Sequence, residues 1–284
     1  MLSRSMLVML AAALSIGPAV AGEGVLEVPG GRIAYESCTP AAARRTVVLI
    51  HDGTLDSAVW NGVFPILCQK YRTVRFDHRG VGKSPHAIET YSAVEDIGLV
   101  MKGLGVERAV LVGASANGGR AATFALDHPE AVEALVLVGP SIPGVTYSKD
   151  FIDAVMPFIR AAQNGDESTA RRLAAEGHLV KRGNAAAHKE LVRLLGLRTF
   201  APPQGQPNFD TPPTPIVDRL PQVTVRTLVI VGDSDHPDNI RQAKVAGEKI
   251  PGADFMMMKD AAHLPFLEHP PTFADIVIRF LEAN

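Results

Sequence analysis

Cysteine is nearly absent: Cys38 and Cys68 are the only two, and neither lies in a C-x-x-C pair or beside a histidine cluster, so no metal site is read from them. An excess of one charge sign is absent too. Lys and Arg number 28 against 30 Asp and Glu, a net charge of -2, and no basic run or basic-aromatic stripe offers a footing for a phosphate backbone. Nucleic-acid binding is excluded as a class. No apolar run reaches the about 20 residues that a membrane span needs, so no stable membrane anchor is expected. No internal repeat and no long low-complexity tract breaks the chain into an array. The Gly-rich segment from Asp77 to Ser84 lacks the G-x-x-x-x-G-K-[ST] spacing of a phosphate cradle and reads as a structural turn.

What is present is the composition of a globular chain, with 284 residues, 46% hydrophobic and 20% charged, enough to bury a sizeable core. At the N-terminus Arg4, the apolar stretch Met6 to Ile16, Pro18 and the small triplet Ala19-Val20-Ala21 read as a secretory signal peptide over residues 1–21, cut near Ala21. Export to the periplasm or the medium is the expectation. An oxidising compartment leaves two options for Cys38 and Cys68, a disulfide tying the end of an early strand to the first large helix or two buried thiols.

After the leader, Gly24 to Val28 and Arg32 to Glu36 alternate around Pro29-Gly30-Gly31 as a hairpin would. Thr46 to Ile50, Thr73 to Phe76, Ala109 to Val112, Ala134 to Val138, Thr227 to Val231 and Asp254 to Met258 are short apolar runs of the kind buried on both faces. Helical stretches at Ala58 to Gln69, Ala93 to Leu104, Gly118 to Asp127 and Thr272 to Leu281 separate most of them. The expected fold is α/β, a mostly parallel sheet flanked by helices on both faces. Residues 22–144 and 216–284 form this core. Residues 145–215 interrupt the alternation as a helical cap with a Pro-rich return loop: Phe151, Val155, Phe158 and Ile159 share one helical face, Ser168 to Glu176 is a second helix, and Asn184 caps a third running to Leu195.

Three segments fall at the C-terminal ends of predicted parallel strands, where open α/β sheets place their sites. They carry, in order, Ser115, Asp235 and His263. A serine hydroxyl becomes a competent nucleophile when an imidazole accepts its proton, and a buried carboxylate holds that imidazole in the right tautomer. Asp233 competes with Asp235 but directly follows the strand and its glycine, where a structural side chain is expected. The oxyanion donors would be the N–H of Ala116, the residue after the serine, and of Gly53 in the loop after an earlier strand. His51 reads as structural, Met256-Met257-Met258 as part of a buried last strand, and His178 and His188 as cap residues without ligand geometry.

The turn Leu111-Val112-Gly113-Ala114-Ser115-Ala116-Asn117-Gly118-Gly119-Arg120 departs from G-x-S-x-G at one place, Asn117. Two frames fit it. With Ser115 as nucleophile, Gly113 is in place and Asn117 must be accommodated. With Ala116 in the nucleophile position, Ala114, Gly118 and Gly119 fit the small positions, no hydroxyl remains, and the chain is a small-molecule binding protein without turnover.

The combination of His51-Asp52-Gly53, Trp60, Asp77 to Ser84, Ser115, Gly232 to Asp235 and His263 resembles the α/β-hydrolase fold superfamily along essentially the whole mature chain, and more narrowly its small enol-lactonase-like and carboxylesterase-like members. The resemblance implies a sheet core, a helical cap, no cofactor and an acyl-serine intermediate; with the three residues in order, the expected activity is that of an exported serine hydrolase on a small, fairly apolar ester or lactone, with no metal. Asp52, where the family commonly has glycine, would place a carboxylate beside the oxyanion loop.

Overall fold

The structure, a computed structural model, describes residues 20–201 and 208–283; the expected signal peptide falls almost wholly outside them, as does part of the Pro-rich return loop. Strands β1 (Val20–Val28), β2 (Gly31–Thr39), β3 (Thr46–Ile50), β4 (Arg72–Phe76), β5 (Ala109–Ala114), β6 (Val132–Val138), β7 (Arg226–Gly232) and β8 (Asp254–Met258) form one sheet in the order β1-β2-β4-β3-β5-β6-β7-β8. Pairing of β1 with β2 and of β2 with β4 is antiparallel, and every other pair is parallel. The hairpin, the six apolar runs and the crossover logic of the sequence are all present.

Alternation along each buried strand splits the core into two layers. Val47, Leu49, Val110, Val112, Val136 and Ile230 face one side, where α1 (Phe64–Leu67) and α9 (Pro270–Glu282) contribute Phe64, Leu67, Phe273 and Val277. Val48, Ile50, Leu111, Leu135, Val229 and Val231 face the other, covered by α2 (Glu95–Gly103), α3 (Ala116–Asp127) and α7 (Pro237–Lys249). Burial on both faces is why these strands read as continuous apolar runs and not as alternating ones.

The interval 145–215 carries α4 (Lys149–Gln163), α5 (Glu167–Glu176) and α6 (Ala185–Leu197). Asn184 caps α6 through its side chain, which accepts from the Ala187 N–H, as its position in the sequence indicates. Ala174, Leu179, Leu191 and Leu194 belong to the same apolar cluster as the first layer, so the cap is packed continuously onto the core.

Three expectations need correction. The stretch Ala58 to Gln69 is no single helix but a 3₁₀ turn, Ser57–Trp60, followed by the one-turn α1, because Gly62 loosens the chain between them and Pro65 brings no N–H to a longer ladder. Strand β8 is an edge strand, and Phe255, Met256 and Met257 lie 38–43% exposed with only Met258 buried. The helix α7 was not anticipated, although Pro237 at its first turn and Ile240, Ala243 and Ala246 supply both a start signal and a period. The cysteines resolve in favour of the bridge: Cys38 near the end of β2 and Cys68 at the C-cap of α1 form a disulfide with Cα atoms 5.8 Å apart. Among the described residues, no helix is long and apolar enough to cross a membrane.

Candidate active site

The β5–α3 turn is set by backbone strain. Ser115 has φ 55 and ψ -128, one of two non-glycine residues with positive φ among those described, and it stands at the N-cap of α3. Such a conformation is costly for a residue with a Cβ and persists where surrounding structure enforces it. The enforcement is visible. Ser115 N–H donates to the Val138 carbonyl at 2.9 Å, and its own carbonyl accepts from Gly118 and Ser141 N–H, each at 2.9 Å. A serine at this place ordinarily caps its helix through Oγ. Here it makes no capping bond, so the hydroxyl remains available at the positive end of the helix.

Asn117 is accommodated by facing away from the crowded side of the turn. The tight positions are Gly113, Gly118 and Gly119, where an added Cβ would meet the Asn117 carbonyl at 2.7 Å, the Gly113 carbonyl at 2.9 Å and the Ser141 carbonyl at 2.0 Å. The Asn117 side chain is buried, its Nδ2 donating to the His51 carbonyl at 2.5 Å and its Oδ1 accepting from Arg120 Nη1 at 2.7 Å. The positive φ therefore falls on Ser115, and Ala116 is the first residue of α3.

At the end of β7, Asp233 and Asp235 differ in burial and in their contact with His263. Asp233 is exposed, whereas buried Asp235 Oδ2 accepts from His263 Nδ1 at 2.8 Å. The other oxygen of Asp235 accepts from the His236 N–H at 2.6 Å and from Asn239 Nδ2 at 2.8 Å. Burial opposes the charge on Asp235, but the histidine beside it and these hydrogen bonds outweigh burial and hold its carboxyl below the ordinary value. Burial likewise opposes a charged His263, and the Asp235 charge and hydrogen bond, helped by Asp52 and Glu268, win and raise its pKa. Gly232 and Gly139 make the approach possible. A Cβ on Gly232 would sit 2.1 Å from the Ala262 carbonyl, and one on Gly139, which has φ +48, would lie 3.1 Å from His263 Nδ1.

On the oxyanion side, Gly53 lies against Ala116, where an added Cβ would reach the Ala116 methyl at 4.0 Å. Among the described residues neither amide N–H has a hydrogen-bond partner. Asp52 turns back on its own loop: one oxygen takes the Thr54 N–H at 2.7 Å, and the other is buried without a partner. His51 is structural, its Nε2 accepting the His78 N–H at 3.2 Å. Asp77 organises the Gly-rich turn by accepting from the N–H groups of Ser57 and Lys83, each at 2.8 Å.

Ser115 and His263 line one cavity of about 130 Å³, roofed by Phe151, Val155 and Phe158 of α4 and by His178 and Leu179 beyond α5. A concavity of about 600 Å³ between α2 and α3 is larger but lined by Glu95, Lys102, Phe124 and His128, with no nucleophile–base pair in it. His178 is a correction to the sequence reading. It does have a carboxylate close by, since its ring nitrogen, an Asp235 oxygen and a His263 nitrogen all lie within 4.8 Å of one another. Asp235 already accepts three hydrogen bonds, so the arrangement is better suited to orienting imidazoles than to surrounding a cation. Burial, then the neighbouring His263, push His178 down to about 4, leaving a neutral imidazole in the roof.

Sequence reasoning missed His178, Asn239, Gly139 and Glu268. The Glu268 carboxylate accepts the N–H of Lys181 at 2.7 Å and of Ala262 at 2.6 Å, clamping the cap segment to the loop that carries His263. Only Asn239 had a local signal, four residues beyond Asp235 and in the first turn of the helix that begins at Pro237.

With this geometry in hand, the comparisons are consistent with it. The model of the α/β-hydrolase fold matches residues 45–270, and the chain belongs to that family. A Caulobacter segnis protein provisionally named carbamate hydrolase RutD is 29% identical over 272 residues, covering 88% of this chain and 96% of its own. A pimeloyl-[acyl-carrier protein] methyl ester esterase of Aeromonas hydrophila is 24% identical over 253 residues, 83% and 94% of the two chains. Among solved structures, Est816, described as an N-acyl homoserine lactone degrading enzyme, superposes with a TM-score of 0.70 at 24% identity, covering 90% of this chain and 100% of that one. The chain is thus a hydrolase of the α/β fold.

Proposed function

We propose that the protein is an exported serine hydrolase that cleaves a small, fairly apolar carboxylic ester or lactone through an acyl-serine intermediate. The observation that carries this reading is the strained Ser115, with its hydroxyl unspent, in one cavity with an imidazole already bonded to a buried carboxylate. His263 takes the Ser115 hydroxyl proton as Oγ attacks the carbonyl carbon, and the N–H groups of Gly53 and Ala116 receive the oxyanion. Collapse of the tetrahedral intermediate breaks the bond to the alkoxide, which leaves with the proton from His263. Water, deprotonated by His263, then releases the acid and restores Ser115. Asp235 holds the tautomer and stabilises the imidazolium.

Carbamates, methyl esters and lactones, named for the relatives, share an acyl carbon bearing a heteroatom leaving group, which is the chemistry such a site performs. The cavity narrows the class. Its volume of about 130 Å³ lies below the roughly 300 Å³ at which drug-sized pockets begin, which favours a short acyl or alcohol portion. Helices α4 and α5, with His178 and Leu179 beyond them, serve as the lid of this pocket, and the Cys38–Cys68 disulfide supports an oxidising destination.

A p-nitrophenyl ester series tests the reading. The acetate and butyrate should be turned over with kcat/KM at least about tenfold above the decanoate, the cost of a chain that cannot be buried. A rise through the decanoate would contradict the small-pocket assignment. Intact mass of protein recovered from the cell exterior or periplasm should lack residues 1–21, and retention of the whole chain in the cytoplasm would remove the export proposal.

A further inference from the structure

The asparagine at the position where the family pattern asks for a small residue is the middle of a hydrogen-bonded chain between two distant loops. Asp210 lies in the segment returning from the cap and is fixed there, one oxygen accepting the Ala93 N–H at 3.0 Å while Tyr91 N–H donates to the Phe209 carbonyl at 3.0 Å. Its other oxygen pairs with Arg120 Nη2 at 2.6 Å. Arg120 Nη1 donates to Asn117 Oδ1 at 2.7 Å, and Asn117 Nδ2 donates to the His51 carbonyl at 2.5 Å, immediately after β3. The amide orientation is forced, because a guanidinium can only donate and a carbonyl can only accept. Asn117 is 1% exposed and the Arg120 and Asp210 side chains 20% and 14%, so water competes weakly for these bonds.

We propose that Asn117 is a positioning residue that, braced by Arg120 and Asp210, holds the loop 51–54 so that the Gly53 N–H stays aimed at the oxyanion. This rests on the hydrolase reading for its chemical consequence, but not for its structural one. The same loop is held at its two ends by the His78 N–H on His51 Nε2 and by Arg198 Nε on the Thr54 carbonyl, each at 3.2 Å, and within itself by Asp52 accepting the Thr54 N–H at 2.7 Å; the Asn117 bond is the one among these that fixes the His51 carbonyl. Fixing the His51 carbonyl fixes the plane of the peptide leading into Asp52, one residue before the donor. A glycine in place of Asn117 would leave the buried carbonyl of His51 and the inner face of Arg120 without a partner. Asparagine meets the needs of both with one amide, and the i, i+3 spacing on α3 places Arg120 beside it.

The test is hydrogen exchange of peptides covering residues 51–55 together with ester kinetics, in wild type, Asn117→Ala and Arg120→Met. Exchange in the loop should quicken about tenfold in both variants, the factor for loss of one buried hydrogen bond, with kcat down about 10- to 100-fold and KM within about threefold. The double variant should be no more than about twofold below the worse single one, as expected of residues acting as one unit. Loop exchange and kcat both at wild-type values in a folded variant would overturn the proposal. Arg120→Met keeps Asn117 in place should Asn117→Ala fail to fold. If wild-type protein cleaves no ester, the hydrolase reading fails on that result, while loop exchange still decides the brace for or against.

Discussion

The turns after β5 and after β7 lie at the same edge of the sheet and hold their key side chains in opposite ways. Ser115 is held by its backbone, through a positive φ and four hydrogen bonds to its main-chain groups, and its hydroxyl caps nothing. Asp235 is held by its side chain, with both carboxylate oxygens engaged by three donors. The difference suits the tasks proposed for them. A nucleophile must keep its reactive atom unencumbered, so its position has to be imposed from the main chain. A carboxylate that stabilises an imidazolium acts by staying charged and still, so saturating it serves its task.

The largest effect should come from a change on the saturated side. Asp235→Asn should reduce kcat by about 10⁴, by misplacing the tautomer of His263, whereas Asp233→Asn should stay within about twofold because Asp233 faces solvent. Steady-state kinetics on any accepted ester separates the two. The same variant sharpens the electrostatic half. His263 must be neutral to act as base, and Asp235 raises its pKa, so the wild-type rate should climb with pH through a midpoint above the ordinary imidazole value of 6.5. In Asp235→Asn that midpoint should move to lower pH, and an unmoved midpoint would assign the limb to another group.

A smaller effect concerns the roof. With His178 pushed down to about 4, the unfolded chain takes up a proton below pH 6.5 that the folded protein refuses. Its contribution to stability is thus fully present above 6.5 and is lost as pH falls toward about 4. Between pH 7 and 5, wild type should lose about 2 kcal/mol more than His178→Gln in urea unfolding, at about 1.4 kcal/mol per pH unit of the window crossed. Burial depresses His51 and His78 as well, so both proteins should weaken in acid, and equal losses would deny His178 its share.

Much of this was legible in the chain because it rests on local rules. Strand ends marked by glycine placed Ser115 and Asp235 at one edge of the sheet, and Asn184 announced its helix by its own capping chemistry. The residues that escaped act across long sequence separations. Gly139 matters because it lies beneath the His263–Asp235 pair, and His178 because its carbonyl accepts from the His263 N–H at 3.4 Å. Neither has a pattern of its own. Asn117 was legible only as a misfit, since its partner, the His51 carbonyl, lies 66 residues away. The exposed β8 was hidden for a related reason: Phe255, Met256 and Met257 have the composition of a buried strand, and only sheet order reveals an edge.

Everything proposed for this site depends on Ser115, and not Ala116, occupying the nucleophile position. Labelling of folded protein with a fluorophosphonate, followed by peptide mapping, tests it most directly. A single adduct is expected on the peptide containing Ser115, and it should disappear in Ser115→Ala. Folded protein that forms no serine adduct, or an adduct that persists in Ser115→Ala, would contradict it.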